Sequence, residues 1–132
     1  MELSIGELSR RAGLASSAIR YYEEMGLLPR APRAGGRRVY DETAVDRLRV
    51  IAFAKEAGFT LREIKQLFNG FASGTPAGQR WQKLAKAKLA EMEALAARVE
   101  AMKALLREAL RCGCVELDAC GRLFRERGIT PR

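Results

Sequence analysis

Apolar residues recur every three to four positions through most of the chain, and the breaks between these periods fall at glycine and proline. Ser4-Ile5-Gly6-Glu7 opens the first period as a capping box, in which a hydroxyl and a carboxylate three residues later each meet an orphan backbone N–H. The spacing predicts a short helix from about Ile5 to Ala12, stopped at Gly13 in the left-handed C-cap position. Leu14-Ala15 then turns the chain, and Ser16 or Ser17 is expected to cap a second helix through Met25, ended by Gly26. Two short helices joined by a glycine-containing turn make a helix-turn-helix. Pro29 to Gly36 reads as a loop, and Arg37-Arg38-Val39-Tyr40 beyond it as a strand. An arginine-rich glycine turn between two strands would form a wing. Asp41 caps a third helix, about Glu42 to Ala57, with Val45, Leu48, Ile51 and Ala52 inward and Gly58 as its stop. Thr60-Leu61-Arg62-Glu63 is a second capping box, opening a fourth helix to about Asn69 with Leu61, Ile64 and Leu67/Phe68 inward.

Residues 71–78 are mostly small, a linker in which Pro76 suits the first turn of the next helix. From about Ala77 to Leu110 a single helix is expected, about 50 Å long at ~1.5 Å per residue. Trp81, Lys88, Leu95, Met102 and Ala109 share one heptad position, and Ala85, Met92, Val99 and Leu106 another. Lys88 is the only polar member of that stripe, so the period is that of a coiled coil, and two copies of the chain are expected to join through it antiparallel. Trp81, Met92, Leu95, Val99, Met102 and Leu106 are the expected dimer contacts, with a helix folded back on the N-terminal helices as the alternative. Past Arg111 the chain turns polar around Cys112-Gly113-Cys114 and Cys120; Arg122 to Arg125 suggests a short helix, and Thr130-Pro131-Arg132 is expected to fray. The expected fold is therefore mostly α. A winged helix-turn-helix (residues 1–70) and a linker (71–78) lead to a coiled-coil helix (79–111) and a cysteine-bearing tail (112–132).

Charge and composition narrow what such a fold does. The 132 residues carry 24 Lys plus Arg against 16 Asp plus Glu, a net +8, which points to a polyanionic partner. The excess is spread evenly, but Arg30, Arg33, Arg37 and Arg38 fall within nine residues that hold no acid. The absence of histidine excludes imidazole bases and ligands, and no nucleophile–base set or phosphate-cradling glycine loop is arranged for catalysis. No apolar run reaches the ~20 residues of a membrane span and no cleavable signal pattern opens the chain, so a soluble cytoplasmic protein is expected. Three cysteines within nine residues suit reduced thiols better than a secreted disulfide frame.

Ile5-Gly6-Glu7-Leu8-Ser9, Gly13-Leu14, Ala18-Ile19-Arg20-Tyr21-Tyr22-Glu23-Glu24 and Gly26-Leu27-Leu28 together resemble the DNA-binding half of MerR-type transcription regulators. Arg38-Val39-Tyr40 and Ala57-Gly58-Phe59-Thr60-Leu61-Arg62-Glu63-Ile64 continue the likeness, and the long helix and cysteine tail keep the layout. On residue chemistry, Ser16, Ser17, Arg20 and Tyr21 give a recognition helix donors for phosphates and base edges in the major groove. The resemblance places Arg20, Tyr21, Arg37, Arg38 and Tyr40 at DNA-contacting positions and Arg62 in a second wing. Tyr40 suits the core as well as it suits a contact, and Tyr22 suits the core better. The resemblance further implies a homodimer on double-stranded promoter DNA that deforms a spacer so that RNA polymerase elements come into register.

The same likeness sets Cys112, Cys114 and Cys120 where relatives carry a metal- or redox-sensing loop. Thiolates take soft or borderline ions, so Cu(I), Zn, Cd, Hg and Pb are all candidates, with Glu116 and Asp118 offering oxygens. The C-x-C-x5-C spacing matches three of four cluster ligands in the iron–sulfur redox sensors of the family. The fourth position is Ala109, which disfavours an iron–sulfur cluster. The copper-sensing members pair two cysteines spaced like Cys112 and Cys120. Thiol redox switching without metal, idle cysteines on a purely architectural DNA binder, and a metal-trafficking protein stand as alternatives.

Overall fold

The computed structural model describes residues 2–129, so the expected fraying at Thr130 to Arg132 lies outside the described residues. Helix α1 (Ile5–Ala12) begins at the predicted box. The Ser4 hydroxyl accepts from the Glu7 N–H at 3.1 Å, and the Ser4 N–H donates to the Glu7 carboxylate at 3.3 Å. It stops at Gly13, whose φ of 68° only glycine adopts without strain.

Helix α2 (Ser16–Glu24) departs from expectation at its start. Ala15 is the N-cap, with extended backbone and no side-chain bond, so Ser16 and Ser17 sit inside the first turn. Ser9 ties this turn instead, its hydroxyl donating to the Leu14 carbonyl. Strands β1 (Arg33–Ala34) and β2 (Arg37–Arg38) pair antiparallel as the wing, shorter than the predicted strand; Tyr40 leaves it to bridge Leu3. Asp41 caps α3 (Glu42–Glu56), accepting from the N–H groups of Thr43 and Ala44. The second capping box opens α4 (Leu61–Asn69) as predicted.

Helix α1 packs on α2 and α3, and α3 on α4, around Leu8, Ile19, Leu27, Leu48, Ile51 and Ile64, all fully buried. On α3 the inner stripe runs 44, 45, 48, 51 and 54. Ala52 is exposed, because the next step of a 3.6-residue period from Ile51 falls at Ala54.

Helix α5 (Ala77–Leu110) keeps its predicted bounds. The described residues form two compact units, one ending at Leu89 and one starting at Ala90, with the break inside α5. The first turns of α5 belong to the N-terminal core. Arg80 donates to the carbonyls of Leu67, Phe68 and Thr75, closing the end of α4. The Trp81 ring stands edge-on to Phe53 and Phe59, with centroids 5.7 and 5.9 Å away. Trp81, expected on a dimer seam, thus spends its ring inside its own chain.

Lys88, the polar exception in the heptads, is 6% exposed; its ammonium lies 2.9 Å from Glu63 and 5.5 Å over the Phe59 ring. In the second unit Leu95, Val99, Met102 and Leu106 remain about half or more exposed, Leu106 at 64%. Helix α6 (Leu117–Glu126) begins five residues before the expected Arg122, because Asp118 in its first turn and the spacing of Leu117, Cys120 and Phe124 support a longer helix. Glu108 pairs with Arg111 at 2.6 Å and with Arg127, tying the end of α5 to the end of α6. No helix of the described residues is long and apolar enough to cross a membrane.

Candidate nucleic-acid interface and thiol cluster

Helix α2 has two faces with different chemistry. Ile19, Tyr22 and Glu23 are buried, whereas Ser17, Arg20, Tyr21 and Glu24 are exposed, Tyr21 at 47%. Ser16 is half-buried. The exposed side therefore carries the donors expected of a recognition helix.

The wing beside it is a two-residue hairpin. Gly35 and Gly36 both hold positive φ, 59° and 78°, as the turn that matches the twist of paired strands demands. This register sets Arg33 directly opposite Arg38. Like charges in that position repel. Arg38 is relieved by Glu23, at 3.3 Å, while Arg33 reaches only the Gly36 carbonyl, at 3.4 Å. A concavity of about 420 Å³ results, lined by Ser4, Ile5, Arg20, Arg33, Gly36, Arg37 and Arg38. It is cationic by construction and lies at the N-terminus of α1, whose dipole adds to the field. Arg30 stands apart, lining a separate apolar hollow with Arg47 and Phe68, so the arginine cluster of the sequence divides in space.

Tyr40 is 5% exposed and belongs to the core. Its hydroxyl donates to the buried Glu23 carboxylate, whose other oxygen has Arg38 as an ion-pair contact but no hydrogen bond. Burial first, and the Glu23 carboxylate second, push the Tyr40 hydroxyl up to about 12 from its ordinary 10. The folded protein then holds this proton more tightly than the unfolded chain does. Its contribution is complete below pH 10 and is lost as pH rises toward 12. Tyr40→Phe is expected to cost about 2 kcal/mol at neutral pH and to remove that alkaline loss, read by urea unfolding from neutral pH up to about 12. Arg62 is exposed in the first turn of α4, as a second-wing cation would be.

In the second unit Cys112 follows the last turn of α5, Cys114 lies two residues on, and Cys120 is in the first half of α6. Their sulfurs all lie within 4.8 Å of one another. Cys112 Sγ and Cys120 Sγ are 3.3 Å apart, beyond the ~2.05 Å of a disulfide, so these are thiols. The Cys114 N–H points at Cys112 Sγ from 3.4 Å. That N–H and the neighbouring thiols lower the Cys112 pKa, whereas Cys120, hydrogen-bonded to that sulfur, is pushed up to about 12. The first thiolate therefore forms on Cys112, poised as a soft-ion ligand. Among the described residues no carboxylate joins the cluster; Glu116 is the N-cap of α6 and Asp118 lies in its first turn.

Residues 3–70 match the sequence profile of the MerR HTH family regulatory proteins, and residues 45–109 that of the MerR DNA-binding region. The chain belongs to the MerR family. It is 31% identical to an HTH-type transcriptional activator, a SoxR homolog from Chromobacterium violaceum, over 98% of this chain and 92% of the relative. It is 46% identical to the mercuric resistance operon regulatory protein of Bacillus cereus over 51% of this chain and 52% of that one. The transcription regulator PbrR691 from Ralstonia metallidurans CH34, solved in complex with lead(II), superposes with a TM-score of 0.73 at 30% identity, covering 86% of this chain and 90% of that one. These relatives are regulators, not enzymes. The chain is thus a DNA-binding regulator of a family with metal-responsive members, and it carries a three-thiol cluster of its own.

For a MerR-family chain, sequence reasoning missed Ser4 and Ile5 at the arginine concavity and left Arg33 out of the contact set. The cap at Ser4 was the available signal: a helix N-terminus beside a basic turn is an anion-seeking arrangement.

Proposed function

We propose that this regulator binds promoter DNA as a homodimer and distorts it when a thiol-directed signal reaches Cys112, Cys114 and Cys120. The arginine concavity beside the exposed face of α2 carries the DNA part of the reading. Ser17, Arg20 and Tyr21 enter the major groove, with Ser16 at its edge, while Arg33, Arg37 and Arg38 neutralise flanking phosphates and Arg62 reaches a further one. Tyr40 contributes from below, by holding Glu23 and through it Arg38. Residues 1–70 form the reader, and residues 79–111 the dimerisation helix. RNA polymerase is the partner at the promoter, and the cytoplasm, where thiols stay reduced, is the compartment.

The exposed stripe from Leu95 to Leu106, with half-buried Met92 at its start, supports the dimer, since a monomer leaves it in water. Replacing Val99 and Leu106 together by glutamate is expected to leave the helix content unchanged and to convert the protein to monomers in sedimentation. An unchanged mass would place the dimer contact elsewhere.

A soft or borderline ion is the signal the sulfur cluster fits best; a Cys112–Cys120 disulfide is the second reading, favoured by their 3.3 Å approach. The test of the DNA reading is fluorescence anisotropy on the duplex upstream of the protein's own gene. Binding tighter than to a scrambled duplex, falling steeply with salt, is expected. Absent or salt-insensitive binding would refute it and leave a metal-trafficking role.

A further inference from the structure

We infer that the Cys112–Cys114–Cys120 trio is a site for a trivalent metalloid, arsenite above all with its antimony congener, an inference that rests on the ion-sensing role proposed for the same thiols. Donor type is the first ground. The chain has no histidine, and among the described residues the cluster holds three sulfurs and no carboxylate.

Donor number is the second. Structural zinc takes four protein ligands, and a linear soft ion takes two and leaves the third sulfur idle. A trivalent metalloid takes three and directs its lone pair where a fourth ligand would stand. Size is the third. Cys112 Sγ and Cys120 Sγ stand 3.3 Å apart and no pair exceeds 4.8 Å, so the sulfurs already crowd round a small pyramidal centre. A large ion would have to spread them.

Charge agrees with this choice. Arg111, next to Cys112 in the chain, pairs with Glu108 rather than with a sulfur, and Glu108 also holds Arg127. A tris-thiolate round a divalent ion is an anion; round trivalent arsenic it is neutral and needs no counter-cation. Binding exchanges three As–O bonds of arsenous acid for three As–S bonds. Each thiol proton leaves with one hydroxide as water, arsenic stays trivalent, and no oxidant or reductant takes part. Cys112 is exposed and the other two are half-buried, so the reagent has access.

The test uses the full-length protein, reduced and anaerobic, titrated in parallel with sodium arsenite, Cu(I), Zn(II) and Pb(II). Native mass spectrometry, the ultraviolet sulfur-to-arsenic band and a count of unreacted thiols are the readouts. The expected result is one arsenic per chain with all three thiols protected, retained against an equal concentration of each other ion. Cys112→Ser, Cys114→Ser and Cys120→Ser should each lose a protected thiol and release arsenic to competing dithiol. Arsenite protecting two thiols or fewer, or giving way to Pb(II), Zn(II) or Cu(I), overturns the metalloid assignment while ion sensing stands. If no ion protects any thiol, both readings fall together.

Discussion

Replacing Arg33 and Arg37 together by alanine will weaken DNA binding on every sequence alike and flatten its salt dependence, while leaving the fold as stable as before. Arg33 faces Arg38 across the hairpin and reaches only the Gly36 carbonyl at 3.4 Å; Arg37 is exposed beside the glycine turn. Neither contributes to the core, and removing Arg33 relieves a like-charge pair, so the change in stability stays within about 0.5 kcal/mol. In the proposed function their positive charge serves the DNA phosphates. Each arginine lost should reduce the log–log salt slope by roughly 1 per protomer. Arg20→Ala, on the exposed face of α2, should act differently: a loss of about 1–3 kcal/mol that relaxes discrimination at one base position. Anisotropy titrations at several salt concentrations on cognate and scrambled duplexes separate the two effects. A wing variant whose salt slope equals that of the parent would remove the concavity from the interface.

Glu63→Ala will destabilise the joint between α4 and α5. It deletes the carboxylate that closes the α4 capping box and takes its place 2.9 Å from the buried Lys88 ammonium. A lost cap costs about 1 kcal/mol, and taking one carboxylate away from a buried cation adds to it, so a total of about 2 kcal/mol is expected. Lys88→Met should cost less than about 1 kcal/mol, because it removes the buried charge itself and fills the same space against Phe59. The Thr60 N–H and then Lys88 hold the Glu63 carboxyl below the ordinary range. Its stabilising share is present above the unfolded-state carboxylate pKa and fades as pH falls through the folded one, so the penalty of Glu63→Ala shrinks in acid. Urea unfolding of both variants at neutral and acid pH checks the contrast. Equal losses for the two would mean that the pair is not what joins these helices.

Much of this architecture was legible because local rules governed it. Ser4/Glu7, Thr60/Glu63 and Asp41 set helix starts by satisfying N–H groups within three residues, and Gly13 set a stop through its backbone freedom. The 34 residues of α5 hold a heptad stripe over four repeats, with no glycine or proline after Gly78, and kept their bounds. What escaped depends on approach through space. A heptad count makes Lys88 an error, whereas its partner Glu63 lies 25 positions back on another helix. Tyr40 reads equally as contact or core until the buried Glu23 appears beneath its hydroxyl. Ser16 and Ser17 both carry a capping hydroxyl, but the extended turn at Ala15 starts the helix before either can act. The arginines from 30 to 38 form one cluster in sequence and two in space: Arg33, Arg37 and Arg38 line the concavity beside α2, and Arg30 lines a separate hollow. The cysteine spacing pointed to a sulfur site; the α6 turn that brings Cys120 against Cys112 is what makes it a trio.

The central claim is that one chain reads DNA through α2 and its wing and is switched through its three thiols. Run-off transcription from the promoter upstream of its own gene tests this most directly, with purified RNA polymerase and either the parent protein or the Cys112→Ser/Cys120→Ser variant. Arsenite, Pb(II), Zn(II) and Cu(I) are each added in turn. At least one ion should change transcript yield with the parent protein, while the variant occupies the same DNA with equal affinity and gives no response. Identical transcript yields from parent and variant with every ion would contradict it.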